Sequence, residues 1–330
     1  MIKTRLIFAC MVLMTLLLFS IDLTVGGVSI SLGNVWRSLT WGYCPPQERT
    51  IILDIRLIKG IVAVLSGAAL TVSGLQMQTL FRNPLAGPYV LGISSGASLG
   101  VALFILAGPL LRLPSTFMSL GVAGAAWIGS AAILIVIAIV GRRIKDIMVV
   151  LILGMMFSSG VSAIVQILQF LSKDEALKNF VIWTMGSLGD VTWSRMWILL
   201  PSVIVGLLLA IVTIKPLNLL LFGEEYASTM GLNVKRARGL LFASTTLLAG
   251  TVTAFCGPIG FIGLALPHVV RMIFRNADHR ILIPGCILFG AMTMIVCDIL
   301  SKLFLLPINA ITALIGIPVV ILVVVRNSRV

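Results

Sequence analysis

Charged residues are scarce in this 330-residue chain: they make up 11% of it, and only 11 residues are acidic. A soluble globular protein carries about twice that charged fraction. Hydrophobic residues reach 59%, and the mean hydropathy is +1.14. This balance excludes an ordinary soluble protein and predicts an integral membrane protein.

Residues that commonly carry chemistry are also few. The sequence contains no G-x-x-x-x-G-K-[ST] phosphate-binding loop, so the chain is not expected to bind or hydrolyse ATP itself. Its five cysteines have no close-spaced pairing, and its two histidines, His268 and His279, lack cysteines or carboxylates at ligand spacing. We therefore expect no disulfide framework, metal site or catalytic residue. The basic residues are scattered over short loops, which gives nucleic-acid binding little support.

Long uncharged stretches are abundant instead, and a membrane helix needs about 20 apolar residues. Eight such stretches run from Arg5 to Asp22, Lys59 to Arg82, Arg82 to Arg112, Arg112 to Arg142, Asp146 to Lys173, Arg195 to Lys215, Arg280 to Asp298 and Lys302 to Arg326. The 32 uncharged residues between Arg238 and Arg271 are split by CGPIGFIG at 256–263, which predicts one full helix and then a short one. We expect an all-α membrane protein of about ten transmembrane helices in a single domain, residues 1–330.

An even number of helices places both chain ends on the same side of the membrane. If that side is the cytoplasm, it holds 15 of the 24 basic residues, including the clusters GRRIK and NVKRAR. Cytoplasmic loops are rich in Lys and Arg, so we expect both termini in the cytoplasm. The net charge of +13 is then mostly a topology signal and favours contact with anionic membrane lipid.

The stretch from Ser73 to Gly100 reads as a broken helix. Its prolines, glycines and polar residues include Gln76, Gln78, Arg82, Asn83, Pro84, Gly87 and Pro88. Irregular backbone at membrane depth is tolerated only against protein or along a water-filled path, which indicates a transport pathway. A similar Gly-Pro step recurs at 256–268, after a helix of opposite direction, as an inverted repeat requires. Gln76, Gln78, Gln166 and Gln169 either hydrogen-bond between helices or line the pathway.

The largest predicted inner loop covers residues 215–238. Gly223 and Gly231 flank GEEYASTMG, which predicts a short helix with the exposed acids Glu224 and Glu225. Such a helix is suited to docking in a groove on another protein, and a plain solvated loop is the alternative.

Asp298 is the acidic residue that the sequence places near a span, and Lys302 follows four residues later. Ionisable groups in a membrane segment can form a proton relay, as a secondary carrier requires. A structural ion pair at a helix end is the other interpretation.

Several of these motifs resemble one family. LQMQTLFRNPLAGPYVLGISSGASLG is similar to the signature of the FecCD-type permeases, the membrane subunits of importers for iron-siderophores, haem and cobalamin. GEEYASTMGL resembles the cytoplasmic loop that couples those permeases to their ATPase. GPIGFIGLALPHVVRMIF with ADHRILIPG resembles their eighth-helix region, and IWTMGSLGDVTW their outer helix between spans five and six. The resemblance covers nearly the whole chain.

The resemblance implies a type II importer permease of the bacterial cytoplasmic (inner) membrane, paired as a homodimer. It implies two ATP-binding-cassette ATPase subunits, which bind ATP and Mg²⁺ while this chain holds no cofactor, and a periplasmic or lipoprotein substrate-binding protein. It implies a coupling helix formed by Gly223, Glu224, Glu225, Tyr226, Ala227, Ser228 and Gly231. Docking of the binding protein is implied for Arg56, Lys59 and Lys302, although Lys59 and Lys302 stand where the family can have arginine. Gln76, Gln78, Arg82, Asn83, Pro84, Gly87 and Pro88 form the expected pathway or gate motif.

The sequence therefore predicts the permease subunit of an importer that moves a metal chelate into the cytoplasm by alternating access. Ferric siderophore is the expected cargo, with cobalamin or haem as alternatives. A secondary carrier that uses Asp298 and a non-transport membrane scaffold are the rival classes.

Overall fold

The computed structural model describes residues 2–40, 42–108, 121–141, 144 and 146–327. The helices α1 to α8 are Ile2–Thr24, Leu32–Leu39, Pro46–Thr50, Leu57–Leu80, Ile93–Ala102, Gly121–Gly141, Ile147–Leu171 and Asp174–Thr184. The helices α9 to α16 are Trp193–Val212, Ile214–Leu220, Glu224–Thr229, Val234–Thr245, Thr251–Cys256, Ile262–Phe274, His279–Phe304 and Ile308–Asn327. Three segments form wider π-helical turns. Ile51–Arg56 leads into α4, Leu103–Ala107 extends α5, and Thr246–Gly250 joins α12 to α13.

Each predicted apolar stretch contains helix within the described residues, and this part of the chain contains no strand. Five helical segments are long and apolar enough to cross a membrane: Lys3–Thr24, Ile147–Leu171, Trp193–Val212, Val234–Cys256 and His279–Phe304. The expectation of a full helix followed by a short one is confirmed, since α14 has 13 residues and spans about 20 Å. Arg112, which separates two of the predicted stretches, and the basic residues Arg142, Arg143 and Lys145 of the GRRIK cluster lie outside the described residues.

Helix α4 lies at the centre of the packing, and nearly all of its side chains from Val62 onward are buried. Two glycines allow its neighbours to approach closely. A Cβ on Gly67 would lie 2.1 Å from the carbonyl oxygen of Gly290 in α15, and a Cβ on Gly74 would lie 1.6 Å from that of Gly263 in α14. In a membrane the hydrophobic effect does not drive helices together, because lipid tails are as apolar as the side chains. Small residues stabilise helix association there by letting the backbones pack closely. α4, α14 and α15 therefore form one tightly packed unit.

Helices α5 and α6 form a second close pair. A Cβ on Gly96 would lie 2.5 Å from the carbonyl oxygen of Gly129, and a Cβ on Gly100 would lie 2.1 Å from that of Ala125. α4 and α5 are consecutive, yet each belongs to a different closely packed group. The segment 81–92 connects the two groups.

The break in the helix is shorter than the sequence suggests. We expected irregular structure from Ser73, but α4 continues to Leu80, and only residues 81–92 form turns. Ser73 satisfies its hydroxyl within the helix by donating to the carbonyl of Leu70, and Gly74 is held in the helix by its contact with α14. The start of α14, which directly follows the second irregular segment 257–261, packs on the first, since Gly263 lies against Pro88.

Candidate functional site

The loop 215–238 contains the predicted short helix. α11 covers Glu224–Thr229, and the flanking Gly223 and Gly231 have φ values of 102° and 85°. Residues other than glycine rarely adopt these φ values, so the two glycines set where the helix begins and ends. Ala227 is fully buried and anchors the inner face of α11.

An ion pair fixes α11 to the rest of the loop. The Nε of Arg238, in α12, donates to Oε1 of Glu224 over 2.8 Å, and its Nη2 donates to Oε2. The Nη1 of the same arginine donates to the carbonyl oxygen of Ile144, in the connection between α6 and α7. One guanidinium thus joins α11 and α12 to a neighbouring loop, and a bidentate pair of this kind fixes orientation as well as distance.

The outward face of α11 is mixed in character. Phe222 and Tyr226 are 68% and 52% exposed, with ring centroids 5.6 Å apart, and Met230 is 59% exposed. Glu225 and Ser228 are exposed beside them. Exposed aromatic and methionine side chains with one acid match the composition of protein-protein contact surfaces. Of the two predicted acids, only Glu225 is exposed.

Gln76 connects three helical regions inside the protein. Its Nε2 donates to Oγ of Ser244 over 3.0 Å and to Oγ1 of Thr213 over 3.4 Å, and its Oε1 accepts from Oγ1 of Thr245. The side chain is fully buried. One of the two predicted roles, the hydrogen bond between helices, is therefore present in this structure.

The rest of the predicted gate motif holds the turn after α4 against α14. Nε2 of Gln78 donates to the carbonyl oxygen of Leu264, and Nη1 of Arg271 donates to Oε1 of Gln78. The ring of His268 hydrogen-bonds through Nε2 to the carbonyl oxygen of Pro84 over 2.7 Å.

Within the same turn, the side chain of Asn83 accepts from the backbone N of Leu85, and Arg82 adopts a positive φ of 47°. Gly87 lies against the side chain of Leu264, and Pro88 against Gly263. The motif therefore shapes the junction between α4, α5 and α14.

His279 lies at the same end of the helices. Its Nδ1 donates to Oδ1 of Asn218, and its Nε2 lies 2.9 Å from Oγ1 of Thr79. Asn218 also donates to Asp278, whose carboxyl accepts from the backbone N of Arg280; that hydrogen bond lowers the pKa of Asp278. Both histidines are thus engaged in protein hydrogen bonds. The described residues contain no group of three His, Cys, Asp or Glu that could hold a metal ion.

Four charged side chains meet at the opposite end of α4. Nζ of Lys302 lies 2.8 Å from Asp298 and 2.8 Å from Asp22, and Nζ of Lys59 lies 3.0 Å from Asp298. Both acids are fully buried, and the side chains of Lys59 and Lys302 are 22% and 8% exposed. The predicted pair of Asp298 and Lys302 is present. Asp22 was missed, because it lies at the end of α1, 280 residues before its partner.

Arg56 lies near this cluster but is bound within the protein. It is 4% exposed, and its Nη1 donates to the carbonyl oxygens of Leu23 and Thr24 over 2.9 and 2.7 Å, while Nη2 donates to that of Val28. These are the carbonyl groups that α1 and the chain after it leave unpaired. In this conformation Arg56 closes the end of α1.

A polar cleft of about 350 Å³ lies between α5, α7 and α8. Its lining consists of Ser94, Ser95, Ser98, Ser162, Val165, Gln166, Gln169, Phe180 and Thr184. Hydroxyl and amide groups dominate the lining, and none of these side chains is charged. Of these lining residues, only Gln166 and Gln169 were predicted from the sequence as candidates for the pathway. Ser162, Gln166 and Gln169 are spaced so that they lie on one face of an apolar helix. This spacing was the signal in the sequence that could have identified the cleft.

Comparison with known proteins agrees with these features. The family model described as the FecCD transport family matches residues 13–326. The hemin transport system permease protein HmuU of Yersinia pestis is 36% identical over 341 residues, covering 99% of this chain and 98% of HmuU. The vitamin B12 import system permease protein BtuC of Shigella boydii is 35% identical over 324 residues, covering 97% of this chain and 95% of BtuC.

A solved structure assigned to a metal-chelate type ABC transporter in an inward-facing conformation has a TM-score of 0.85 to this chain at 27% identity. It covers 98% of this chain, and this chain covers 99% of it. The fold of the chain is therefore that of a known membrane transport architecture. The chain belongs to the FecCD transport family.

Proposed function

We propose that this chain is the membrane-spanning permease subunit of an ATP-binding-cassette importer that moves a metal chelate into the cytoplasm. Membership of the FecCD transport family over nearly the whole chain carries the proposal. The structure supports it with α11, a short helix that presents Glu225 and Tyr226 outward beside the exposed Phe222, which precedes the helix. The chain has no phosphate-binding loop of its own.

The proposed assembly contains two copies of this chain, two ATPase subunits and a substrate-binding protein. α11 is the contact through which the ATPases act, and it lies on the cytoplasmic side of the bacterial inner membrane together with both chain ends. Exposed apolar residues support this placement, because a partner that buries the exposed part of Phe222 and Tyr226 gains about 1–2 kcal/mol per side chain.

The cleft between α5, α7 and α8 is our candidate for part of the pathway. Its serine and glutamine lining offers hydrogen bonds without fixed charge. A transporter must release what it binds, and such a surface can hydrogen-bond to the cargo without binding it tightly. Closure of the ATPases would move α11, and through the fixed contact of Arg238 the motion would reach α12 and the α6–α7 connection.

The cargo class we propose is a chelate of the haem, cobalamin or ferric-siderophore kind. Two relatives are named for hemin and vitamin B12, and the starting expectation of ferric siderophore stays a prediction. A secondary carrier is less well supported, because Asp298 lies between the ammonium groups of Lys59 and Lys302 and is matched in charge. Docking of a binding protein through Arg56, Lys59 and Lys302 also stays a prediction, and these residues would first have to leave their present partners.

Replacing Glu224 and Glu225 together by lysine tests the coupling role. We expect the double variant to reach the membrane while ATP-driven uptake into proteoliposomes is lost, because the Arg238 contact and the outward acid are both removed. Uptake of haem, cobalamin and a ferric siderophore should be measured in parallel with the ATPase subunits present. Uptake unchanged by the double substitution, or uptake that collapses with a proton uncoupler and persists without ATP, would contradict the proposal.

A further inference from the structure

A second, smaller cavity lies beside the N-terminal end of α11. It has a volume of about 240 Å³ and is lined by Gln78, Thr79, Arg82, Pro84, Leu221 and Arg271. The residues come from the end of α4, the turn after it, α14 and the chain that precedes α11. The cavity is distinct from the serine-rich cleft, with which it shares no lining residue.

Two guanidinium groups line this cavity without a carboxylate to balance them. All 11 acidic residues of the chain fall within the described residues, and none makes an ion pair with Arg82 or Arg271. The ion pairs present use Asp22, Glu224 and Asp298. The cavity therefore holds two positive charges that no side-chain carboxylate of the described chain neutralises.

The two arginines are presented differently. Arg271 is partly buried and oriented, since its Nη1 donates to Oε1 of Gln78 over 2.7 Å while Nε2 of Gln78 is held by the carbonyl of Leu264. Arg82 is exposed and reaches over the cavity edge, where its Nη1 lies 3.2 Å from the Cβ position of Gly223. Its guanidinium forms no hydrogen bond within the described part of the chain. The remaining donors of both groups are free to meet a ligand.

We propose that this cavity binds a phosphate group. Guanidinium donors match the geometry of phosphate oxygens and pair with them in a bidentate manner. A phosphate monoester carries a charge of about −1.5 to −2 at neutral pH. It therefore neutralises the two arginines more fully than a single carboxylate would. This further support rests on the proposed function: with α11 on the cytoplasmic side, the cavity is a basic pocket between helices at the cytoplasmic boundary, a typical site for anionic lipid head groups. The phosphate belongs to either a membrane phospholipid or a free cytoplasmic solute.

The test uses the full-length chain in detergent and in lipid nanodiscs. Thermal unfolding is measured with inorganic phosphate and with sodium chloride at equal ionic strength. Nanodiscs that contain phosphatidic acid are compared with nanodiscs of phosphatidylcholine alone. Arg82→Gln is the main variant, because the Arg82 guanidinium has no partner in the described chain to lose. Arg271→Lys keeps the buried charge, and Arg236→Gln removes an exposed arginine elsewhere as the matched control.

We expect phosphate to raise the unfolding temperature of the wild type and of Arg236→Gln, and to bind Arg82→Gln about tenfold more weakly, the loss of one charge-assisted hydrogen bond. Arg271→Lys should weaken binding by a similar factor while the protein stays folded. Stabilisation by phosphatidic acid together with inorganic phosphate identifies a membrane lipid as the source, and stabilisation by inorganic phosphate alone identifies a free solute.

Equal phosphate effects in Arg82→Gln and Arg236→Gln, or no advantage of phosphate over chloride, would overturn the proposal. So would a loss of ATPase co-purification in Arg82→Gln without any change in phosphate binding, because the cavity would then receive an acidic side chain of the ATPase.

Discussion

The guanidinium of Arg238 and the carboxylate of Glu224 form a bidentate pair, with Nε and Oε1 2.8 Å apart. The two residues lie 14 positions apart, in α12 and α11. This contact gives the adjacent acids different roles: Glu224 sets the position of α11, and Glu225 is presented on its surface.

Reversal of this pair should separate position from charge. Glu224→Arg places two guanidinium groups together, and we expect it to lower the free energy of unfolding by about 2 kcal/mol, the value of a hydrogen bond to a charged group. The double variant Glu224→Arg with Arg238→Glu should recover at least half of that loss. Thermal unfolding in detergent measures both. No recovery in the double variant would show that the contact of Arg238 with Ile144 is the more important one.

Glu225→Lys should act on partner binding alone. Glu225 is exposed, so we expect the unfolding temperature to stay within error of the wild type, while stimulation of the partner ATPase falls about tenfold through loss of one charge-assisted contact. Glu175→Lys, an exposed acid in α8, makes the same change of charge away from α11. An equal loss of stimulation in both variants would point to net charge as the cause.

Lys302→Met should be strongly destabilising. It leaves buried Asp298 with Lys59 as its remaining ion-pair partner and buried Asp22 with no ion pair among the described residues, and removal of one partner from a buried ion pair costs about 3–5 kcal/mol. The double variant Lys302→Met with Asp22→Asn restores the balance of charge and should regain most of that stability. Thermal unfolding of the two variants gives the comparison. Equal stability of Lys302→Met and the wild type would show that water reaches both acids.

Gly74→Ala should separate α4 from α14. The added Cβ would lie 1.6 Å from the carbonyl oxygen of Gly263, so the helices must move apart, and overpacking of this kind costs about 1–3 kcal/mol or more. Gly239→Ala is the control, because nothing lies within 4 Å of its Cβ and alanine favours the helix. We expect a lower unfolding temperature for the first variant and an equal or higher one for the second. A neutral Gly74→Ala would mean that the two helices are held less closely than described.

Local signals predicted much of this structure. The glycines around α11 set its ends through their own backbone conformation, and Asp298 and Lys302 lie one helical turn apart. Both features depend on residues close together in the sequence, so a short stretch of sequence is enough to predict them. Asp22 and the use of Arg56 as a cap for α1 depend on contacts between distant parts of the chain. The glutamines show the same limit, because their residue type alone is compatible with either a hydrogen bond between helices or a place in the pathway lining. Only the packed structure shows that Gln76 hydrogen-bonds between helices and that Gln166 lines the cleft.

The glycine contacts of α4 give the unit of α4, α14 and α15 the mechanics of a stiff lever. α4 has 24 residues and is about 36 Å long, with Gln78 and Thr79 at one end and Lys59 at the other. A tilt of about 5° at the end beside α11 would displace the far end by about 3 Å, from the length given by the helical rise. That distance is about the length of the ion pair between Lys302, which belongs to this unit, and Asp22, which lies outside it in α1. A small rotation beside α11 is therefore enough to break this contact at the other end of α4.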